Sequence, residues 1–300
     1  MTFLVIKSSW QIRNTRPISA GRENAKVNTR HRVSRPFDSE VFSMELVKET
    51  MRALAFLSRL PVSPRWFVGY SGSLHDTVRG FPLAGVLIAL PASIVLLVAV
   101  ALDLPEIATA LFVIVALIIT TGALHEDGLA DVADGFYGGN SVERRLEIMK
   151  DSAIGSYGTL ALIISVLMKT ALLATIVDRV GPFQAFVVVV GTEAASRATL
   201  VKFWQSLPSA RAGGVADQAG IPNAEDANFA LFLGAAVLAI SYGTAGGLLA
   251  VIIAAFLTAL VYLGFLGLCR ETIGGQTGDT LGAMQQLATI SLLLGLVIAV

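Results

Sequence analysis

Eleven consecutive residues, His125-Glu126-Asp127-Gly128-Leu129-Ala130-Asp131-Val132-Ala133-Asp134-Gly135, follow directly on an apolar run long enough to cross a membrane. Read as a helix, Asp127, Asp131 and Asp134 fall at i, i+4 and i+7, a spacing that points three carboxylates the same way. Like charges this close repel, and lipid or protein around them raises the cost. A divalent cation removes the repulsion, and Mg²⁺ is the first candidate for an all-oxygen site serving a phosphorylated substrate. Asp127, Asp131 and Asp134 are therefore expected as metal ligands, with Glu126 or Asp151 as helpers. His125 borders the cluster and is a candidate proton shuttle or hydrogen-bonding group. The plain alternative, a solvated acidic loop ending a membrane helix, leaves three aligned aspartates with nothing nearby to neutralise them.

Two further stretches carry residue types suited to phosphate chemistry. In Arg144-Arg145-Leu146-Glu147-Ile148-Met149-Lys150-Asp151-Ser152, the bases Arg145 and Lys150 can hold phosphate oxygens. Glu147 and Asp151, at i and i+4, can join a metal shell or orient those bases. The alternative for this stretch alone is an amphipathic helix with solvent-facing ion pairs. Gly155 and Gly158, just beyond it, suggest a backbone approached closely by a ligand or a helix. In Gly274-Gly275-Gln276-Thr277-Gly278-Asp279-Thr280, glycines let backbone amides face an anion, and Asp279-Thr280 can cap the helix that follows. The alternative there is a plain inter-helix turn. No Lys-Ser/Thr ending is present, so this is not a P-loop.

The elements that must position these motifs are membrane helices. The chain has 300 residues, 54% hydrophobic and 15% charged, with a mean hydropathy of +0.71. That is more apolar and less charged than a soluble domain. The fold class expected is all-α and polytopic, with about seven spans at 81–102, 107–124, 154–177, 183–200, 229–243, 246–268 and 281–300, the fifth short enough to be re-entrant instead. Lys169, Glu193 and Arg197 lie inside these runs and should face protein, with Glu193 and Arg197 pairing at i, i+4. Arg52, Arg59, Arg65, Arg79, Arg144, Arg145, Lys150, Lys202, Arg211 and Arg270 fall on one side when seven spans alternate, which assigns that side to the cytoplasm. A net charge of zero gives no sign of nucleic-acid binding. The single Cys269 excludes an internal disulfide. Residues 1–43, with eight Lys/Arg and three Asp/Glu, read as a polar extension or a start assigned too far upstream of Met44. The domain proper then runs over 44–300.

These motifs, in this order on a polytopic chain, resemble cobalamin synthase, the adenosylcobinamide-GDP ribazoletransferase family. The resemblance rests on Phe56-Leu57-Ser58-Arg59-Leu60-Pro61-Val62, Phe81-Pro82-Leu83, His125 through Asp131 with Asp134-Gly135, Glu147 through Ser152 with Gly155, Gly274-Gly275, and Thr277 through Ala283. It covers the chain from about Met44 onward. One departure is visible: family members often carry an acidic residue near the position of Thr289, after Gln285-Gln286. The resemblance implies an enzyme of the bacterial inner membrane with its site loops in the cytoplasm. Its substrates are adenosylcobinamide-GDP and α-ribazole or the 5′-phosphate, and GMP is released. It further implies Mg²⁺ on Asp127, Asp131, Asp134 and Glu126, catalysis by Asp127, Asp131, His125 and Lys150, and substrate contacts from Arg145, Lys150, Asp151, Thr277 and Asp279. The bilayer is a partner by composition, and an oligomer is compatible with the sequence.

Two rivals share part of this reading. A CDP-alcohol phosphatidyltransferase, or a prenyltransferase with Asp-rich diphosphate sites, would use an acidic cluster for the same physical reason. The former's Asp-Gly-x-x-Ala-Arg pattern needs Ala-Arg where this chain has Asp131-Val132. A transporter would use Lys169, Glu193 and Arg197 as an ion path, but it leaves the acidic and glycine-rich loops without a role.

Overall fold

A computed structural model describes residues 39–70 and 72–300, and in these the chain is a helical bundle. Ten α-helices follow in order: α1 Ser39–Leu57, α2 Phe81–Ala101, α3 Glu106–Thr121, α4 Leu124–Gly138, α5 Val142–Ile148, α6 Ser156–Val180, α7 Pro182–Ser206, α8 Val215–Ala219, α9 Ala224–Ile273 and α10 Gly278–Ala299. Residues 1–38 of the expected extension lie outside the described residues. The helix expected to begin near Met44 starts at Ser39.

The all-α membrane class holds; the count of about seven spans is not confirmed. Among the described residues, four segments are long and apolar enough to cross a membrane: Leu74–Ala101, α6, α9 and α10. A fifth arises if α3 and α4, bent by 92°, count as one broken span. Two expected spans are the halves of α9, whose 50 residues would extend about 75 Å as one rod, over twice the hydrocarbon thickness. Gly247, at φ 72°, breaks that rod where a left-handed residue is required. The expected span at 183–200 lies in α7. Every α7 residue from Gly191 to Val201 is buried, so this helix faces protein and tolerates Glu193 and Arg197. Apolar residues left on the outside, such as Ile163, Leu167, Leu248, Ile252 and Phe256, suit contact with lipid tails.

The bend between α3 and α4 decides where the acidic cluster goes. Gly122 and Ala123 both adopt left-handed backbone, turning the chain out of α3. A side chain at Gly122 would strike the Arg59 guanidinium, with its Cβ 2.1 Å from Nε, and the Arg59 amide donates to the Thr120 carbonyl at 2.7 Å. The Phe56–Val62 motif therefore braces the bend. Beyond it, α4 is amphipathic. Leu129, Val132 and Phe136 bury one face against Phe203, Phe265, Met149 and Met284. Asp127 and Asp131 stand on another, exposed and half-buried respectively.

Candidate active site

Two glycines bring the acidic helix onto the glycine-rich turn. A Cβ added at Gly128 would lie 2.6 Å from the Asp279 carbonyl oxygen, and one at Gly282 would lie 3.2 Å from the His125 Cα. Only bare backbone permits this contact between α4 and the start of α10. The Asp279 carboxylate thereby comes close enough to act on Asp131. The Asp131 carboxyl is pushed up to about 7, first by burial and then by the charges of Asp279, Asp127 and Asp134. Among the described residues, no lysine or arginine pairs with Asp127 or Asp131.

The turn itself is built as a rigid platform. Gly274, at φ 75°, ends α9. The Ala210 amide donates to the Gln276 carbonyl at 2.8 Å, and the Gln276 amide to the Pro208 carbonyl at 2.9 Å. Gly275 has no room for a Cβ, which would stand 2.4 Å from the Pro208 oxygen. Thr277, rather than Asp279, caps α10, in a reciprocal pair with Thr280. The Thr277 hydroxyl also donates to Asp279 at 3.3 Å. Between this turn and the loop at 209–216 lies a cleft of about 70 Å³ lined by Ser209, Arg211, Thr277, Gly278 and Asp279.

Several expected site residues stand elsewhere. Asp134 acts on Asp131 by its charge, but its own carboxylate is engaged elsewhere. It is buried, and its carboxylate accepts from the Gly155 amide at 2.7 Å and the Gly158 amide at 2.8 Å, at the start of α6. The close approach expected at those glycines is thus made by Asp134. Glu126 is also removed from the acids. It accepts from Lys169 at 3.3 Å and from Gln286 at 3.0 Å inside the bundle. Arg145 is engaged by carbonyls, donating to Gly139 at 3.1 Å and Thr272 at 3.0 Å, which ties α5 to the end of α9. Lys150 and Asp151 are exposed, and Asp151 accepts from the Ala153 amide at 3.2 Å. Glu147 pairs with Arg144 on the surface at 2.6 Å. His125 is buried and faces inward, away from Asp127.

Beneath α4, His125, Glu126, Lys169, Glu193, Arg197, Gln285 and Thr289 line a cavity of about 20 Å³, the size that suits one water. Glu193 and Arg197 pair with each other, as their spacing suggested. Two carboxylates balance two cations here, which is how ionic groups persist in a membrane protein's interior. Thr289, where family members often have an acid, belongs to this network through Gln285 at 3.1 Å. Its lack of charge therefore leaves the exposed acids untouched.

The donor set fits a hard divalent cation in one respect: Asp127 and Asp131 offer carboxylate oxygens that no basic side chain among the described residues pairs with. Among the described residues, no three acidic, histidine or cysteine side chains enclose an ion. Mg²⁺ commonly takes one or two carboxylates and completes its shell with water and substrate phosphate. The Asp127–Asp131 pair fits that mode, whereas a closed protein cage of four carboxylates is not formed.

Comparison with known proteins supplies the family. Residues 49–297 match the family model described as cobalamin-5-phosphate synthase. The chain belongs to that family. Relatives from Brucella ovis and Brucella canis, both named adenosylcobinamide-GDP ribazoletransferase, are 50% identical over 254 residues, covering 85% of this chain and 98% of theirs. A relative of the same name from Brucella melitensis is 49% identical over the same length. No solved structure matches. The cleft also takes in Ser209 and Arg211, which sit in a loop without a glycine-rich or acidic signature and were not expected there from the sequence. The only available signal was Arg211 itself, counted among the bases on one side.

Proposed function

We propose that this chain is an Mg²⁺-dependent adenosylcobinamide-GDP ribazoletransferase. It joins the cobinamide phosphate to α-ribazole, or to the 5′-phosphate, and releases GMP. The observation that carries the reading is the meeting of family motifs at one place: Asp127 and Asp131 beside Asp279, next to a cleft, in a chain 50% identical to relatives of that name. A ribose hydroxyl attacks the phosphorus on the cobinamide arm. The new P–O bond forms as the bond to the GMP oxygen breaks, and GMP leaves with that electron pair. The hydroxyl proton goes to a carboxylate of α4. His125 is a poorer candidate, because its ring faces the buried cavity. A Mg²⁺ ion held by Asp127 and Asp131 would neutralise phosphate charge and align the reacting groups. Asp134, by holding the α6 terminus, and Glu126, by anchoring α4 to Lys169, position the helix that presents those acids.

The reaction places the site on the cytoplasmic face of a bacterial inner membrane, where nucleotide-activated substrates are made. A phosphatidyltransferase lacks its Ala-Arg pair here. A transport path through Lys169, Glu193 and Arg197 is opposed by their closure into a paired network. Mass-detected conversion of adenosylcobinamide-GDP by purified membranes tests the reading. Activity in the wild type, with none in Asp127→Asn and Asp131→Asn or after chelation, supports it. Full activity of both variants in excess chelator removes the metal.

A further inference from the structure

The expected phosphate-holding bases, Arg145 and Lys150, do not line the cleft: Arg145 is tied through Nε and Nη1 to the Gly139 and Thr272 carbonyls, and Lys150 is exposed just beyond α5. Arg144 is paired with Glu147. One basic side chain does line the cleft, opposite Thr277 and Asp279. Arg211 is half-buried, and no carboxylate pairs with it among the described residues. A single guanidinium donor is engaged, to the Leu146 carbonyl at 2.5 Å. That bond fixes the head group and leaves most of its fork free.

The backbone beneath it is fixed as well. The Ser209 hydroxyl donates to the Arg211 carbonyl at 3.1 Å, the Gly214 amide donates to the same carbonyl at 3.2 Å, and the loop is strapped to Gln276 on both sides. Across the cleft, Asp279 adjoins Asp131, so the two walls carry opposite charge. A cleft of about 70 Å³ admits several non-hydrogen atoms, against about 20 Å³ for the closed cavity below α4. An anion with oxygens on both ends, one turned to the acids through a divalent cation and one to a planar guanidinium, matches both walls.

We propose that Arg211 is a substrate-binding residue that holds the pyrophosphate of the nucleotide-activated substrate from the side opposite Asp127 and Asp131, an inference that rests on the transferase reading above. The guanidinium contributes binding before the reaction as much as during it, so its loss raises KM more than it lowers kcat.

Binding of inorganic pyrophosphate to the full chain in lipid nanodiscs, followed by calorimetry with and without Mg²⁺, tests this without turnover. The expected result is measurable binding by the wild type and at least a tenfold weaker Kd in Arg211→Gln, with Arg144→Gln unchanged. Gln removes the charge and is too short to reach the Leu146 carbonyl, so its binding is read per folded molecule beside Arg211→Lys, which keeps the charge and a donor near that carbonyl; a purely structural Arg211 predicts wild-type binding in the Lys variant. That result, or no pyrophosphate binding by the wild type, overturns the inference. Should Arg211→Gln fail to fold, Arg211→Lys keeps the charge, loses the fork, and is expected to bind several-fold more weakly; equal binding overturns the inference. The two readings separate cleanly. Pyrophosphate bound through Arg211 in a chain that never converts adenosylcobinamide-GDP sinks the transferase reading alone. Turnover with an unchanged KM in Arg211→Gln sinks the Arg211 assignment alone.

Discussion

Exchanging Asp134 for Asn replaces one carboxylate oxygen with an amide NH2 at the entrance to α6. The wild-type side chain is 9% exposed and accepts two amides, Gly155 at 2.7 Å and Gly158 at 2.8 Å. A hydrogen bond to a charged acceptor contributes roughly 1.5–3 kcal/mol. Asn keeps one of these as a weaker neutral bond and turns an N–H donor toward the other amide, leaving it unsatisfied. A negative charge at a helix N-terminus is lost as well, worth about 0.3–1 kcal/mol. The expected destabilisation is about 3 kcal/mol, a shift of more than a hundredfold in the unfolding equilibrium. The assay pairs thermal unfolding in detergent, read by tryptophan fluorescence, with turnover per folded molecule at low temperature. Asp134→Asn should melt several degrees lower and keep substantial turnover, because Asp127 and Asp131 remain. Asp131→Asn should show the reverse, melting no lower than wild type and turning nothing over. An Asp134→Asn chain that melts like wild type but is inactive would refute the division of the three aspartates into one helix cap and two chemical groups.

Other outcomes follow from the same geometry. The Asp131 carboxyl, on the helix bent 92° from α3, is held near 7 against an ordinary 3.8, so the folded chain keeps the proton more tightly than the unfolded chain. The stability linked to that proton is complete below about pH 4 and lost as pH rises through about 7. The melting midpoint of wild type minus that of Asp131→Asn should accordingly fall between pH 5 and pH 8 without metal, and a flat difference contradicts it. Gly128→Ala should cost roughly 1–3 kcal/mol by overpacking against Asp279, and should lower turnover beyond what lost folded protein explains. Unchanged turnover would show that this backbone contact does not set the site. For sidedness, cysteines at exposed Ser141 and Gly278 should label with an impermeant thiol reagent from one side, and Glu106→Cys from the other; Cys269 is buried and silent. Labelling of 141 and 278 from opposite sides would break the single site.

Much of the chain could be read from residue types at close spacing. The helix over the acidic cluster and the i, i+4 pairing of Glu193 with Arg197 are local consequences of backbone geometry and charge, and both appear in the structure. The motif order also pointed to the family that the comparison with known proteins supplies. Span counting fared less well. Hydropathy reports how apolar a run is, not whether it faces lipid, and α7 faces protein from Gly191 to Val201.

Spacing along one helix fixes which way a side chain leaves the axis, but not what stands opposite. Asp131 and Asp134 are one turn apart and equally acidic in sequence, yet α10 packs beside one and the α6 terminus beside the other. Glu126, next to Asp127, is drawn inward by Lys169 from a helix far along the chain. Arg145 and Arg211 differ likewise: neighbouring carbonyls engage the first, and the strap to Gln276 holds the second at the cleft. The sequence by itself determined the acids, the glycines and the helices that carry them. Tertiary packing alone decided which acid of α4 stands beside Asp279 and which arginine lines the cleft next to it, because burial and charge pairing depend on partners distant in the chain.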